Sequence, residues 1–247
     1  MKQRLDKLLV DRGLAPSRER AQALIIAGRV LVNEQKATKS GQNVAPDVDL
    51  RLLGDDLRYV SRGGLKLEHA FTHWNIDLRD RRCMDVGTST GGFTDCMLQH
   101  GAASVIAVDT GRGQIAAKLR SDPRVTLLED TNARFLESTK VPSPVTFIAM
   151  DVSFISATLV LPAVIRAGFQ AGSGELVTLV KPQFEAGREH VGRGGIVRDE
   201  AAQRASVEKV RSAVVALGGS AVEVIDSPIT GAEGNREFLL HANFLSL

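Results

Sequence analysis

Cysteine is nearly absent: Cys83 and Cys96 are the only two in 247 residues. At most one disulfide could form and no CxxC pair exists, so the usage fits a reducing compartment and both thiols read as packing residues. Also missing is any run of the roughly eighteen apolar residues that a bilayer crossing needs, which argues against an integral membrane protein. The opening stretch MKQRLDKLLVDRG has no continuous apolar segment behind its basic residues. No secretory signal is expected, and the cytoplasm is the expected location. A hydrophobic fraction of 43% with 24% charged residues is ordinary for a globular chain. The length suits one large domain with a small companion.

A net charge of +2 conceals an uneven distribution. Residues 1–39 hold nine Lys or Arg, among them Arg4, Lys7, Arg18, Arg20 and Arg29, against four acids. A basic segment on a balanced protein is the footprint of a polyanionic partner. In the same segment Leu5, Leu8 and Leu9 fall at helical spacing, with Gly13 able to close the helix. Pro16 and Ser17 open a second helix whose stripe Ala21, Leu24, Ile25 points inward and which Gly28 ends. Val30 to Val32 starts a strand, Asn33-Glu34 makes a less ideal hairpin turn than Asn-Gly, and Val44 to Leu53 supplies a further strand or two. The pattern RLDKLL…RGL…SR…A…LI-x-x-G-x-V-x-V-N resembles the S-four RNA-binding domain, named after a small-subunit ribosomal protein. The resemblance implies docking on folded RNA by residues 1–56, with 57–60 as a joint to a second module at 61–247.

That second module alternates strand and helix. Apolar runs at Cys83–Val86, Val105–Val108, Val125–Leu128, Val145–Met150 and Leu176–Val180 are followed by Ala221–Ile225 and Glu237–Phe244. The fold class expected is α/β: a Rossmann-like, mostly parallel sheet with helices on both faces, an antiparallel strand at its edge, and the small α+β domain in front.

The first run leads into DVGTSTGGFTDCML, where Gly87, Gly91 and Gly92 permit a tight turn and close approach of a ligand to the backbone. A dinucleotide fingerprint would need glycine where Ser89 stands. Asp85, just before the turn, would repel a pyrophosphate and suits a cationic amino-acid ligand. The pattern D-x-G-x-x-x-G-G resembles the first motif of S-adenosylmethionine-dependent methyltransferases. It implies that Asp85, Gly87, Thr88, Ser89, Gly91 and Gly92 bind the methionine part. Asp109 ends the next strand, where it could take both ribose hydroxyls, and Asp130 with Asn132 follows the third, within reach of the adenine. Any one of these acids could instead be a helix N-cap.

The fourth strand ends at Asp151 and the fifth at Lys181, in LVTLVKPQFEAG. Glu237 opens the last strand, and Lys66 in SRGGLKL precedes the first. Lys66, Asp151, Lys181 and Glu237 in this order resemble the catalytic tetrad of FtsJ-type ribose 2′-O-methyltransferases. With the phrases SRGGLKL, MDVSFIS, VKPQFE and GNREF, the whole chain resembles the TlyA family. The resemblance implies S-adenosylmethionine-dependent 2′-O-methylation of a cytidine in ribosomal RNA. Such a displacement needs oxygen, methyl and sulfur in line and help in removing the hydroxyl proton. Lys181 is expected as the base, which requires a neutral amine that Lys66 and burial would favour, or as a charged group that orients the hydroxyl. The glycine-rich EAGREHVGRGGIVRDE is expected as a mobile loop over RNA, with Arg188, Arg193 and Arg198 near phosphates, and Arg62 as a further RNA contact.

No metal is expected, since among the five histidines only His69 and His73 are suitably spaced and no third ligand is evident. Members that modify both ribosomal subunits tend to carry a longer N-terminal arm. Only Met1 to Gln3 precede the first helix here, so the large subunit alone is the expected target, with the protein a monomer. Two other readings stand beside this one: a non-catalytic ribosome-assembly factor that binds the cofactor, and a haemolysin.

Overall fold

The computed structural model describes residues 2–53, 58–170, 172–231 and 234–245, in two compact units, Met1–Arg58 and Tyr59–Leu247. The division falls inside the expected joint. Leu57 lies outside the described residues, and Tyr59, 2% exposed, already belongs to the second unit's core.

In the first unit, strand β1 (Gln3–Arg4) runs straight into helix α1 (Leu5–Asp11), and α2 covers Arg18–Ile26. Ser17 caps α2 by accepting from the Arg20 amide, and Leu5, Leu8, Leu9, Ala21, Leu24 and Ile25 share one core. Strand β2 (Val30–Val32) pairs antiparallel with β3 (Gln35–Lys36) and with β5 (Leu50–Leu52), while β4 (Asn43–Val44) pairs with β1. The β2–β3 turn puts both Asn33 (φ 48°) and Glu34 (φ 62°) in the left-handed region. Glu34 is the costlier occupant, and Arg51 grips its carboxylate from β5 at 2.6 Å.

The fully buried acid of this unit is Asp6. Its carboxylate takes a bidentate grip from Arg4 (3.0 and 2.8 Å), a bond from Arg18 (3.2 Å) and one from Gln22 (2.9 Å). Those donors, with the Arg4 hydrogen bond first, hold its carboxyl far below the usual carboxylate range.

In the second unit α3 (Gly63–Trp74) precedes β6 (Arg82–Val86), α4 (Gly92–Gln99), β7 (Ser104–Val108), α5 (Ala117–Arg120) and β8 (Val125–Leu128). Then come β9 (Phe147–Met150), α6 (Ala157–Phe169), β10 (Gly174–Val180), α7 (Pro182–Glu185), α8 (Glu200–Ala216), β11 (Gly219–Asp226) and β12 (Phe238–Phe244). The described strands form one sheet in the order β11-β12-β10-β9-β6-β7-β8. From β8 through β10 the pairs are parallel, and β12 is antiparallel to both its neighbours. The antiparallel strand therefore sits one place in from the edge, where β11 covers it. Val145, expected inside the fourth strand, lies before it because its amide bonds to Gly168 O at the end of α6 (2.9 Å).

Each central strand buries both faces, as parallel sheets do. Met84, Val86, Ile148 and Met150 pack with α6 and α8, while Cys83, Val105, Phe147 and Ala149 pack with α3 and α4. Both thiols are buried in this second layer, and burial pushes Cys83 up to about 12. No described helix is long and apolar enough to cross a membrane.

Replacing Asp6 by Ala would leave two guanidiniums without their common acceptor and a void between α1 and α2. Urea unfolding of the full chain should show a loss of about 1–3 kcal/mol, discounted for the half-exposed arginines, whereas Asp6→Asn should lose less.

Candidate active site

Chain order reverses between β6 and β9. The chain leaves β6 for β7 on one side and leaves β9 for β10 on the other, which is where open α/β sheets hold ligands. The turn after β6 depends on Gly87: its φ is +85°, and a Cβ there would lie 2.3 Å from the Asp151 carbonyl oxygen. Ser89 (φ 49°) follows, and Gly91 (φ 94°) turns the chain into α4. Asp109 ends β7 with both carboxylate oxygens on this turn's surroundings, accepting from the Ser89 amide and the Gly111 amide, each at 2.7 Å.

Two adjoining cavities share Gly87, Ser89 and Asp151. The larger, about 410 Å³, runs past Asp109, Gly111, Gln114, Thr131 and Asn132 to Ser153 and Phe154. The smaller, about 260 Å³, is bounded by Ser61, Arg62, Gly63, Lys66, Thr88, Thr90, Gly92, Phe93 and Gly231. Arg62, expected as an RNA contact, is thus on a cavity wall.

Two expected cofactor ligands face elsewhere. Asp85 is completely buried beneath the turn; its Oδ2 accepts from the Thr94 amide (2.9 Å) and hydroxyl (2.6 Å), and its Oδ1 has no protein partner. It pins the start of α4 and lines neither cavity. Burial pushes its carboxyl up to about 7, and the charges of Asp151 and Asp109 add to this. Asp130 takes a left-handed φ of 51° and its largely exposed carboxylate faces Arg112 at 3.9 Å. Thr131 and Asn132 are the wall residues there, with Asn132 also accepting from the Arg134 amide.

The four tetrad residues gather at the rim as two ion pairs. Lys66, in the first turn of α3, meets Glu237 at 2.5 Å, with side chains 10% and 3% exposed. Gly231 makes room for that carboxylate, since a Cβ there would lie 2.1 Å from Glu237 Oε1. Lys181, directly after β10, meets Asp151 at 2.6 Å and donates to Ser153 Oγ at 2.7 Å. Phe154 next door has a φ of 65°, is 92% exposed, and stands 5.5 Å from the Phe184 ring. Ser61, Ser153 and Phe154 were not singled out from the sequence; the motifs containing them were the only signal.

The second half of the segment expected as a mobile loop is held by hydrogen bonds. Val197 donates to Asn235 Oδ1 (3.1 Å), Asn235 Nδ2 donates to Gly195 O (2.9 Å), and Gln203 donates to Val197 O (2.8 Å). Arg188, Arg193 and Arg198 are exposed along it. In the first unit Lys7 is exposed, Arg20 half-buried, Arg4 and Arg18 are half-committed to Asp6, and Arg29 donates to Leu53 O (2.8 Å). Among the described residues no three His, Cys, Asp or Glu are gathered as metal ligands.

The FtsJ-like methyltransferase model matches residues 59–244. The chain belongs to that family. The S4 domain model matches residues 3–50, so the family's catalytic unit follows an S4 unit. A Bacillus subtilis protein, YqxC, provisionally described as an rRNA methyltransferase, is 48% identical over 98% of this chain and 86% of its own. The 16S/23S rRNA (cytidine-2′-O)-methyltransferase TlyA of Mycobacterium tuberculosis is 44% identical over 96% of this chain and 88% of its own. A solved structure from Streptococcus thermophilus that carries a hemolysin name is 44% identical, covers 99% of this chain and 89% of its own, and superposes with a TM-score of 0.76.

Family members use S-adenosylmethionine. The cavities fit it: the turn at Gly87 brings backbone to both of them, Asp109 offers a carboxylate anchored by two amides, and Ser61, Arg62 and Thr88 make one rim polar.

Asp85 makes the fold pH-dependent. Its folded pKa of about 7 lies above its value in an unfolded chain. The stability it permits is full below pH 4 and is lost as pH rises through 7, by an amount on the order of a few kcal/mol. In cofactor-free protein, Asp85→Asn should flatten the fall in melting temperature between pH 5 and 8.

Proposed function

We propose that this protein transfers a methyl group from S-adenosylmethionine to the ribose 2′-hydroxyl of a cytidine in ribosomal RNA. The substrate is the large subunit, one of the two whose RNAs, 16S and 23S, the mycobacterial relative's name gives, and the place is the cytoplasm. The observation that carries the reading is Lys181 held 2.6 Å from Asp151 at the edge of both cavities, with the Lys66–Glu237 pair at the same rim.

The cofactor supplies an electrophilic methyl on a sulfonium, so the chain has to bring up an oxygen nucleophile, align it and deal with its proton. Lys181 is the group placed for the proton. As a neutral amine its Nζ accepts it; as an ammonium the same nitrogen holds the hydroxyl oxygen by donation. Asp151 holds the lysine by charge while it is an ammonium. Lys66 and Glu237 neutralise one another and close the far side of the smaller cavity. The S4 unit, with Lys7, Arg20 and the exposed faces of Arg4 and Arg18, supplies the cations that anchor the RNA by its phosphates.

Phe154 supports an RNA substrate in particular. A bulky side chain forced into the left-handed region and left 92% exposed beside a cavity is costly unless something stacks on it, and an unpaired base has the required flat face. Phe154→Ala should lower kcat/KM for RNA about 5- to 100-fold while cofactor binding by calorimetry stays unchanged.

The deciding experiment is transfer of labelled methyl to separated 30S and 50S subunits from an unmodified strain, with mapping of 2′-O-methyl sites. Label at one cytidine of the 50S particle is expected, and Lys181→Met should reduce it at least about a hundredfold with cofactor still bound. Cofactor binding without label on either subunit would instead support a non-catalytic role in ribosome assembly.

A further inference from the structure

We infer that Ser153 is a positioning residue for the reaction, setting the direction in which Lys181 presents its reactive nitrogen. The inference deepens the functional reading above and rests on it.

The register places Ser153 where it can do this. Met150 of β9 lies opposite Thr178 of β10. Three residues further along each chain, Ser153 comes level with Lys181, and the Lys181 Nζ donates to Ser153 Oγ at 2.7 Å. Asp151 Oδ1 is equally close at 2.6 Å, yet it receives no hydrogen bond of acceptable direction. The carboxylate therefore holds the lysine by charge, which is nearly indifferent to rotation about the Cε–Nζ bond. The serine holds it by direction.

One consequence follows for either protonation state. An ammonium with one N–H on Ser153 and one side against Asp151 has a single direction left for a hydroxyl oxygen. A neutral amine loses the hold by charge and keeps only the Ser153 hydrogen bond, which then sets where its lone pair points. Without the serine, the nitrogen stays paired with Asp151 but turns freely.

The backbone supports the arrangement. Phe154 at φ 65° bends the chain directly after Ser153, sending its own ring outward. The serine hydroxyl is left on the wall of the larger cavity, beside Asp151 and Val152.

The test uses the full chain with 50S subunits, comparing Ser153→Ala and Ser153→Thr with the unsubstituted protein in methyl transfer and, by calorimetry, in S-adenosylmethionine binding. The expected result for Ser153→Ala is a fall in kcat of about 10- to 100-fold with KM and Kd for the cofactor unchanged, and Ser153→Thr, which keeps the hydroxyl, restores most of the rate. An unchanged kcat for Ser153→Ala overturns the inference, as does a loss that lies wholly in cofactor affinity or that Thr fails to rescue while binding cofactor normally. If the unsubstituted protein methylates neither subunit, the functional reading itself fails and the inference falls with it, a result distinct from a rate that ignores Ser153.

Discussion

The contact between Gly87 and Asp151 governs the rest of the site. Val86 and Met150 are paired across β6 and β9, and the Asp151 amide extends the ladder by donating to Val86 O at 2.8 Å. The two chains then separate, one into the glycine turn and the other toward α6. They separate from so close a start that any side chain at 87 would overlap the Asp151 carbonyl. The turn that shapes both cavities and the carboxylate that holds Lys181 are thus parts of one rigid assembly. A shift of the turn moves Asp151, and with it the lysine. Gly231 repeats the device on the opposite wall, where the missing Cβ lets the chain pass over Glu237. At 87 the glycine is required by a neighbour far away in sequence, at 231 by one only six residues on.

The fold was legible because parallel strands buried on both faces cannot hide: VIAV and FIAM are apolar throughout, LVTLV is apolar but for Thr178, and each is followed by a charged residue. Asp151 and Lys181 stood out for a related reason, because charged side chains at the ends of such runs have few explanations. Lys66, on a helix, and Glu237, just ahead of the last strand, were singled out only by the resemblance to FtsJ-type methyltransferases. Orientation was not legible. Asp85 and Asp109 both end strands beside the glycine turn, and nothing in the local sequence distinguishes them. Thr94 does so, by offering an amide and a hydroxyl one turn into α4 and drawing Asp85 beneath the surface. Asp130 is turned away by its own left-handed backbone, which a sequence does not advertise for an aspartate. Ser153 was invisible for want of register, because its relation to Lys181 exists only once β9 and β10 are aligned. The segment 185–200 looked free because glycines and arginines suggest mobility. Asn235, from a motif some forty residues on, supplies the hydrogen bonds that hold its second half at Gly195 and Val197.

Three carboxylates meet at the ends of β6, β7 and β9, and the structure treats each differently. Asp109 is met by two backbone amides, Asp151 by a lysine, and Asp85 by a single threonine, with one oxygen left bare. Three negative charges so close together in a dry setting would repel one another by more than these partners supply. The group with no cationic or cavity-facing partner and the deepest burial is the one whose carboxyl is pushed up to about 7. The division has a functional sense. The two carboxylates that face the cavities are the ones given their own positive or polar partners, so a cationic ligand or a lysine can approach without bearing the whole cost of holding them in place. The third is kept as a pin under α4, where its shape and its acceptor oxygen matter more than its charge. Electrostatics at this switch point thus sorts acids that the sequence presents as equivalent into two that face the cavities and one that holds the helix behind them.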